Sequence, residues 1–118
     1  MRFMSLYKPG KDLGGPPDPE VMAKLGPLIE QMMNSGALIA TGGLQASSRG
    51  ACVQIQDQRI TVKDGPFAET REVIAGYAIL NAKSKEEAIG MAKRFLAVMG
   101  EGECEVRPMH EEAQRGAS

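Results

Sequence analysis

The sequence predicts an α+β fold in which one antiparallel sheet carries two helices on a single face. Three observations predict it. Apolar residues recur at helical spacing in two stretches, 18–34 and 84–99, and short β-prone runs flank each of them. Two further runs at 51–63 alternate apolar and polar residues and follow one another directly, as the arms of a hairpin do. The chain has 118 residues, of which 42% are hydrophobic, enough for one domain around one modest core. The resulting order is β-α-β, an extra hairpin, then β-α-β. Without the hairpin this is the split β-α-β plait.

"RFMSLYK" (2–8) reads as a strand closed by Pro9-Gly10, and the Gly/Pro-rich stretch 10–19 is a loop. The first helix is expected from Asp18 to Asn34, with Asp18 as cap and Pro19 at the first helical position. Val21, Leu25, Leu28 and Met32 form its stripe, and Gly36 ends it. Gly26-Pro27 interrupts the pattern; since the stripe continues through it, the expectation is a kink and not a break. "ALIATGGL" (37–44) is a strand. "ACVQIQD" and "QRITVK" form a hairpin that turns at Asp57-Gln58, with Val53, Ile55, Ile60 and Val62 on one face. Asp57-Gln58 is a poor pair for a primed turn. "EVIAGYAIL" (72–80) is nearly continuous in apolar residues and is expected to be central and buried on both faces. "SKEE" (84–87) is a capping box for the second helix, whose stripe is Ala88, Ala92, Phe95, Leu96 and Met99, stopped by Gly100. "CEVRPMH" (104–110) is the last strand. Residues 1–112 form one domain and 113–118 a polar C-terminal tail.

Two helices cover only one side of such a sheet. Its other side keeps apolar residues, and the simplest cover is the same face of a second copy, so a homodimer through the sheet face is expected.

Charge excludes several classes. Fourteen Lys and Arg face fifteen Asp and Glu, for a net charge of −1 with no clustered basic run, so direct nucleic-acid binding is not expected. No apolar run approaches a membrane span, and the N-terminal stretch is too short an apolar run for a secretion signal; a cytoplasmic setting is expected. Two cysteines without a C-x-x-C, and His110 alone, leave no metal site and no cofactor to expect. Cys52 and Cys104 lie in strand-like runs and are expected as buried thiols.

Chemistry concentrates in "KDGPFAETREVIAGY" (63–77). Asp64-Gly65-Pro66 bends the chain, and Phe67 is too apolar to leave in water, so it plugs the corner or packs across a dimer. Asp64 and Glu69 are candidate general bases and Arg71 a candidate anion holder; equally, the charges are a solvated strand entry. Tyr7 and Tyr77 lie on predicted strands, either as core residues with the hydroxyl at an edge or as phenols lining a cavity with Phe67. The Gly-rich segments around 41–50 bring backbone N–H groups near Ser47, Ser48 and Arg49, an arrangement that holds an anion or simply turns the chain.

"DGPFAETRE", followed by "IAGYAIL", closely resembles the signature of the DGPF group of the YCII-related family. "GALIATGGLQASSRGACVQI", "GPPDPEVMAKLGPLIEQM", "SKEEAIGMAKRF" and "GECEVRP" resemble further segments of that group, so the resemblance covers nearly all of 1–110. It implies a ferredoxin-like plait with an inserted hairpin, assembled as a dimeric α/β barrel, and a bacterial cytoplasmic protein. It also implies a link to extracytoplasmic-function sigma factors, with no activity assigned to the group. Three positions depart from the pattern: Pro27 replaces a polar residue, Cys52 an Arg and Arg71 a Lys. Other branches are similar to lyases and isomerases with a His-Asp pair. His110 lies outside the motif on the last strand, so that pair is not carried over.

Two functions follow. One is a regulatory module that contacts a sigma factor or similar protein. The other is a cofactor-free isomerase, lyase or hydrolase with a pocket carboxylate as base. The first is favoured, because no nucleophile–base pair is visible.

Overall fold

A computed structural model describes residues 1–10, 18–67 and 73–110. Its elements are β1 (Arg2–Lys8), α1 (Pro19–Asn34), β2 (Leu38–Gly43), a 3-10 turn (Ser47–Arg49), β3 (Ala51–Gln56), β4 (Arg59–Asp64), β5 (Gly76–Asn81), α2 (Lys85–Met99) and β6 (Glu103–Pro108). Four strands form one antiparallel sheet in the order β2-β5-β1-β6, while β3 and β4 pair only with each other. With β3 and β4 set aside, this is the strand order of the ferredoxin-like plait.

Register decides what each face carries. Phe3 opposes Leu80, Ser5 opposes Ala78 and Tyr7 opposes both Gly76 and Cys104. These residues face the helices. Phe3, Leu38, Leu80 and Ala82 pack there with Met32 of α1 and Ala88 of α2. On the opposite, open face Met4 pairs with Ile79 and Leu6 with Tyr77. Lys8 reaches along this face to Glu105, 2.9 Å from Nζ to Oε1.

Helix α1 runs without a break through Pro27. Pro19 starts it, but the Asp18 side chain makes no cap bond. At its end Ser35 Oγ donates to the Met32 carbonyl at 3.0 Å. In α2, Ser84 Oγ accepts the Glu87 N–H at 3.2 Å. The reciprocal bond of the box is displaced by one residue: Glu87 Oε1 accepts from Lys83 N–H at 3.3 Å. Gly100 closes α2 in the left-handed conformation.

Three expectations need correction, and the type of the hairpin turn, open from the sequence, is given by the backbone. Strand β5 begins at Gly76 and not at residue 72, and it is not buried on both faces: Tyr77 is exposed, because both helices lie on the other side. Cys52 is exposed, since the hairpin leaves the sheet and neither of its faces is covered; Cys104 is half-buried. The Asp57-Gln58 turn has φ of 51° and 66°, so both residues adopt the left-handed conformation of a primed turn despite their unsuited side chains. The last strand runs Glu103–Pro108, one residue earlier at its start and two shorter at its end.

Candidate functional site

The core occupies only one end of the helix–sheet interface. Toward the other end the sheet presents Ser5, Gly76, Ala78, Thr41 and Cys104, all small, and α2 presents Ala92. Helix α1 answers with Met22, Leu25 and Ile29, and α2 with Met91, Phe95 and Met99. Small residues on the floor and flexible ones on the walls leave space: a cavity of about 680 Å³, within the ordinary range of small-molecule sites. Gln45 and Arg49, from the segment after β2, also line it.

Most polar groups in the lining are already engaged. Tyr7 Oη donates to the Glu101 carbonyl at 2.9 Å, and its ring meets Phe95 edge-on at 5.1 Å between centroids. Burial, then the charge of Glu101, then Cys104 push the Tyr7 phenol up. Thr41 Oγ1 donates to the Tyr77 carbonyl at 2.8 Å. Burial also pushes the Cys104 thiol up, against the opposing pull of the Ser5 hydroxyl. Neither group is poised to lose its proton at neutral pH, so the lining holds no activated nucleophile. Among the described residues, no carboxylate, lysine or histidine lines the cavity. Arg49 is its one charged side chain, and no ion pair among the described residues involves it.

The DGPF turn lies beside this cavity, at the root of the hairpin. Phe67 N–H donates to Ser47 Oγ at 3.1 Å and Gly65 N–H to the Gly50 carbonyl at 3.0 Å. Residue 65 has to be glycine, because a Cβ there would overlap the Ser47 carbonyl. Phe67 is half-buried and lines a shallower depression with Ala46, Cys52, Val73 and Ile74, into which Arg49 also projects. Arg49 thus borders both spaces.

The predicted site residues divide accordingly. Tyr7, Tyr77 and Arg49 line the main cavity, and Phe67 lies next door. The register sends the Tyr77 ring to the open face, over Gly42, so Tyr77 borders the cavity from its edge. Asp64 is exposed on β4 and lines neither space; Ser48 is exposed in the 3-10 turn and also lines neither. The N–H groups of Arg49 and Gly50 are bound within that turn, to Ala46 and Ser47. Glu69 and Arg71 lie outside the described residues. Sequence reasoning missed Leu25 and Met99, which it placed on the helix stripes, and Met22 and Met91. The signal available was the run of small residues on the facing strands.

A family model for the YCII-related domain matches residues 1–112. The chain belongs to the YCII-related family. It is similar to an uncharacterised protein of Rhizobium meliloti, 30% identical over 93 residues that cover 78% of this chain and 75% of that protein. Among solved structures it is similar to 5-chloro-2-hydroxyhydroquinone dehydrochlorinase of Burkholderia phenoliruptrix, in complex with 2,5-dihydroxybenzoquinone. That match has 12% identity and a TM-score of 0.47, and covers 97% of this chain and 98% of the other. No helix among the described residues is long and apolar enough to cross a membrane.

Proposed function

We propose that this YCII-related domain binds a small amphipathic anion, its apolar body between sheet and helices and its anionic group on Arg49, and that it does so without transforming it. The observation that carries this reading is the mismatch in the cavity lining. Its volume is bounded by methionine, leucine, isoleucine and phenylalanine, and its one charge is an arginine without an ion-pair partner among the described residues. Flexible methionines suit a ligand of variable shape, and a guanidinium pairs well with a carboxylate. Binding without chemistry is the behaviour of a regulatory module whose ligand state a protein partner reads. The sigma factor suggested by the DGPF-type sequence would be such a partner. The enzyme alternative needs a base at the ligand, and Asp64 lines no part of the cavity.

The open face supports a homodimer. Half-buried Met4, Leu6 and Ile79 and exposed Tyr77 sit together there with no helix above them among the described residues, and a twin sheet would cover them.

Calorimetric titration with straight-chain carboxylates of six to ten carbons, beside the alcohols of equal length, tests the ligand reading. The carboxylates should bind and the alcohols bind at least tenfold more weakly. Arg49→Gln should remove that difference, and Ala78→Leu, which fills the floor, should abolish binding while the chain stays folded. Equal affinity for acid and alcohol, or binding unaffected by Ala78→Leu, would refute the assignment.

A further inference from the structure

We infer that the β3–β4 hairpin is a dimerisation arm whose aliphatic face packs on a second copy of this chain. The inference rests on the reading above that the open sheet face meets a twin. Register places Val53 opposite Val62 and Ile55 opposite Ile60. The pairs between them, Cys52 with Lys63, Gln54 with Thr61 and Gln56 with Arg59, fall on the other side. Period-two alternation therefore gives the ribbon one aliphatic face and one polar face. In the single chain both are in water: the four aliphatic residues are 65–70% exposed, and neither strand packs substantially on another strand or helix. A two-stranded ribbon is marginal by itself, and a contiguous aliphatic patch on one marks an interaction surface.

Area and symmetry indicate the occupant. Each of the four side chains offers on the order of 100 Å² of apolar surface, so one arm supplies about half of the roughly 800 Å² that each partner of a stable pair buries. The open sheet face adds a smaller surface from exposed Tyr77 and the half-buried Met4, Leu6 and Ile79. In a two-fold pair each copy gives its own arm and receives its partner's, so the arm surface counts twice on each copy and reaches that scale. A two-fold pair uses both patches on both copies. The root of the arm is fixed for this use: Gly65 N–H on the Gly50 carbonyl and Phe67 N–H on Ser47 Oγ tie it to the domain. Its polar face, with Arg59, Thr61 and Lys63, is suited to remain in solvent.

Sedimentation equilibrium and hydrogen exchange of the full chain test this. The variant carries Val53→Thr, Ile55→Thr, Ile60→Thr and Val62→Thr together, which keeps β-branched residues and strand propensity while removing the aliphatic face. The wild type should dimerise at micromolar concentration, with the β3 and β4 amides protected in the dimer and exposed on dilution. The variant should dimerise at least tenfold more weakly, with unchanged circular dichroism. A wild-type dimer that the variant matches, with arm amides unprotected, would overturn the arm and leave the sheet-face dimer standing. A monomeric wild type at 100 times that concentration would overturn both. Protection that is independent of concentration would mean that the arm folds onto its own chain, and would also overturn it. The ligand reading is separate: Arg49 carries it, and none of the substituted residues lines the main cavity.

Discussion

Gly65 shows how one residue holds the hairpin to the domain. Its backbone lies against the Ser47 carbonyl, with no space for a side chain, while its N–H bonds to Gly50. Gly50 has no such restriction, since the nearest atom to a Cβ there would be the Ser47 oxygen at 3.6 Å. Gly65→Ala should therefore destabilise the protein by about 2–4 kcal/mol, in the range of steric and backbone lesions, and Gly50→Ala by less than about 1 kcal/mol. Urea denaturation of the two variants measures the difference; equal midpoints would mean that the turn is not held against the 3-10 segment. The bend at Asp64-Gly65-Pro66 was legible in the sequence, because those residue types turn chains wherever they occur. The partner of the bend was not legible: that Ser47, twenty residues earlier, takes the Phe67 N–H is a tertiary fact. Cys52 was misplaced for the same reason, since β-strand patterning says nothing about whether a strand joins the main sheet.

At the scale of elements, both helices, and the existence of every strand, could be read from periodicity and caps, with boundaries shifting by a few residues at β5 and β6. The turn of the hairpin was readable in place but not in type. Asp57 and Gln58 adopt left-handed angles because the twist of two paired strands demands a primed turn, whatever the side chains prefer. Pro27 is the feature that most clearly sets local preference against tertiary packing. It sits in the middle of α1, exposed, preceded by an exposed Gly26. The helix persists because Leu28, Ile29 and Met32 beyond it pack on the core. Proline in a helix interior costs about 3 kcal/mol, and Pro27 is exposed, so burial of its ring does not offset that cost. Pro27→Ala should stabilise the protein by about 1–3 kcal/mol, read as a higher urea midpoint at constant slope. A loss of stability would mean that Pro27 helps to position the second half of α1 on the core.

At the scale of the whole molecule, the plait was legible and the cavity was not. Ser5, Gly76, Ala78 and Ala92 are each small but ordinary one at a time; only their alignment across three elements creates a void. The same assembly also shifts three titrating groups. Hydrogen bonding and charge from Lys8, with Arg107 further off, hold the Glu105 carboxylate below its ordinary value. As pH falls, the unfolded carboxylate, near about 4.3, takes up its proton first. The contribution is thus complete above that value and disappears as pH drops through the lower folded one. Tyr7 and Cys104 act at the other end. Burial raises both, so the unfolded thiol, near about 8.5, and phenol, near about 10, ionise before the folded ones. Their contribution is complete below those values and is lost as pH rises through the raised ones. Melting temperature should be level across neutral pH and fall on both sides. Glu105→Gln should melt below the wild type at pH 7 and approach it as pH falls below the ordinary carboxylate range, because protonation of Glu105 removes the charge that faces Lys8. Cys104→Ala should delay the alkaline fall and leave the acid limb unchanged. If Glu105→Gln ran parallel to the wild type down to pH 3, the Lys8–Glu105 bridge at the edge of the open face would hold β1 to β6 by packing alone.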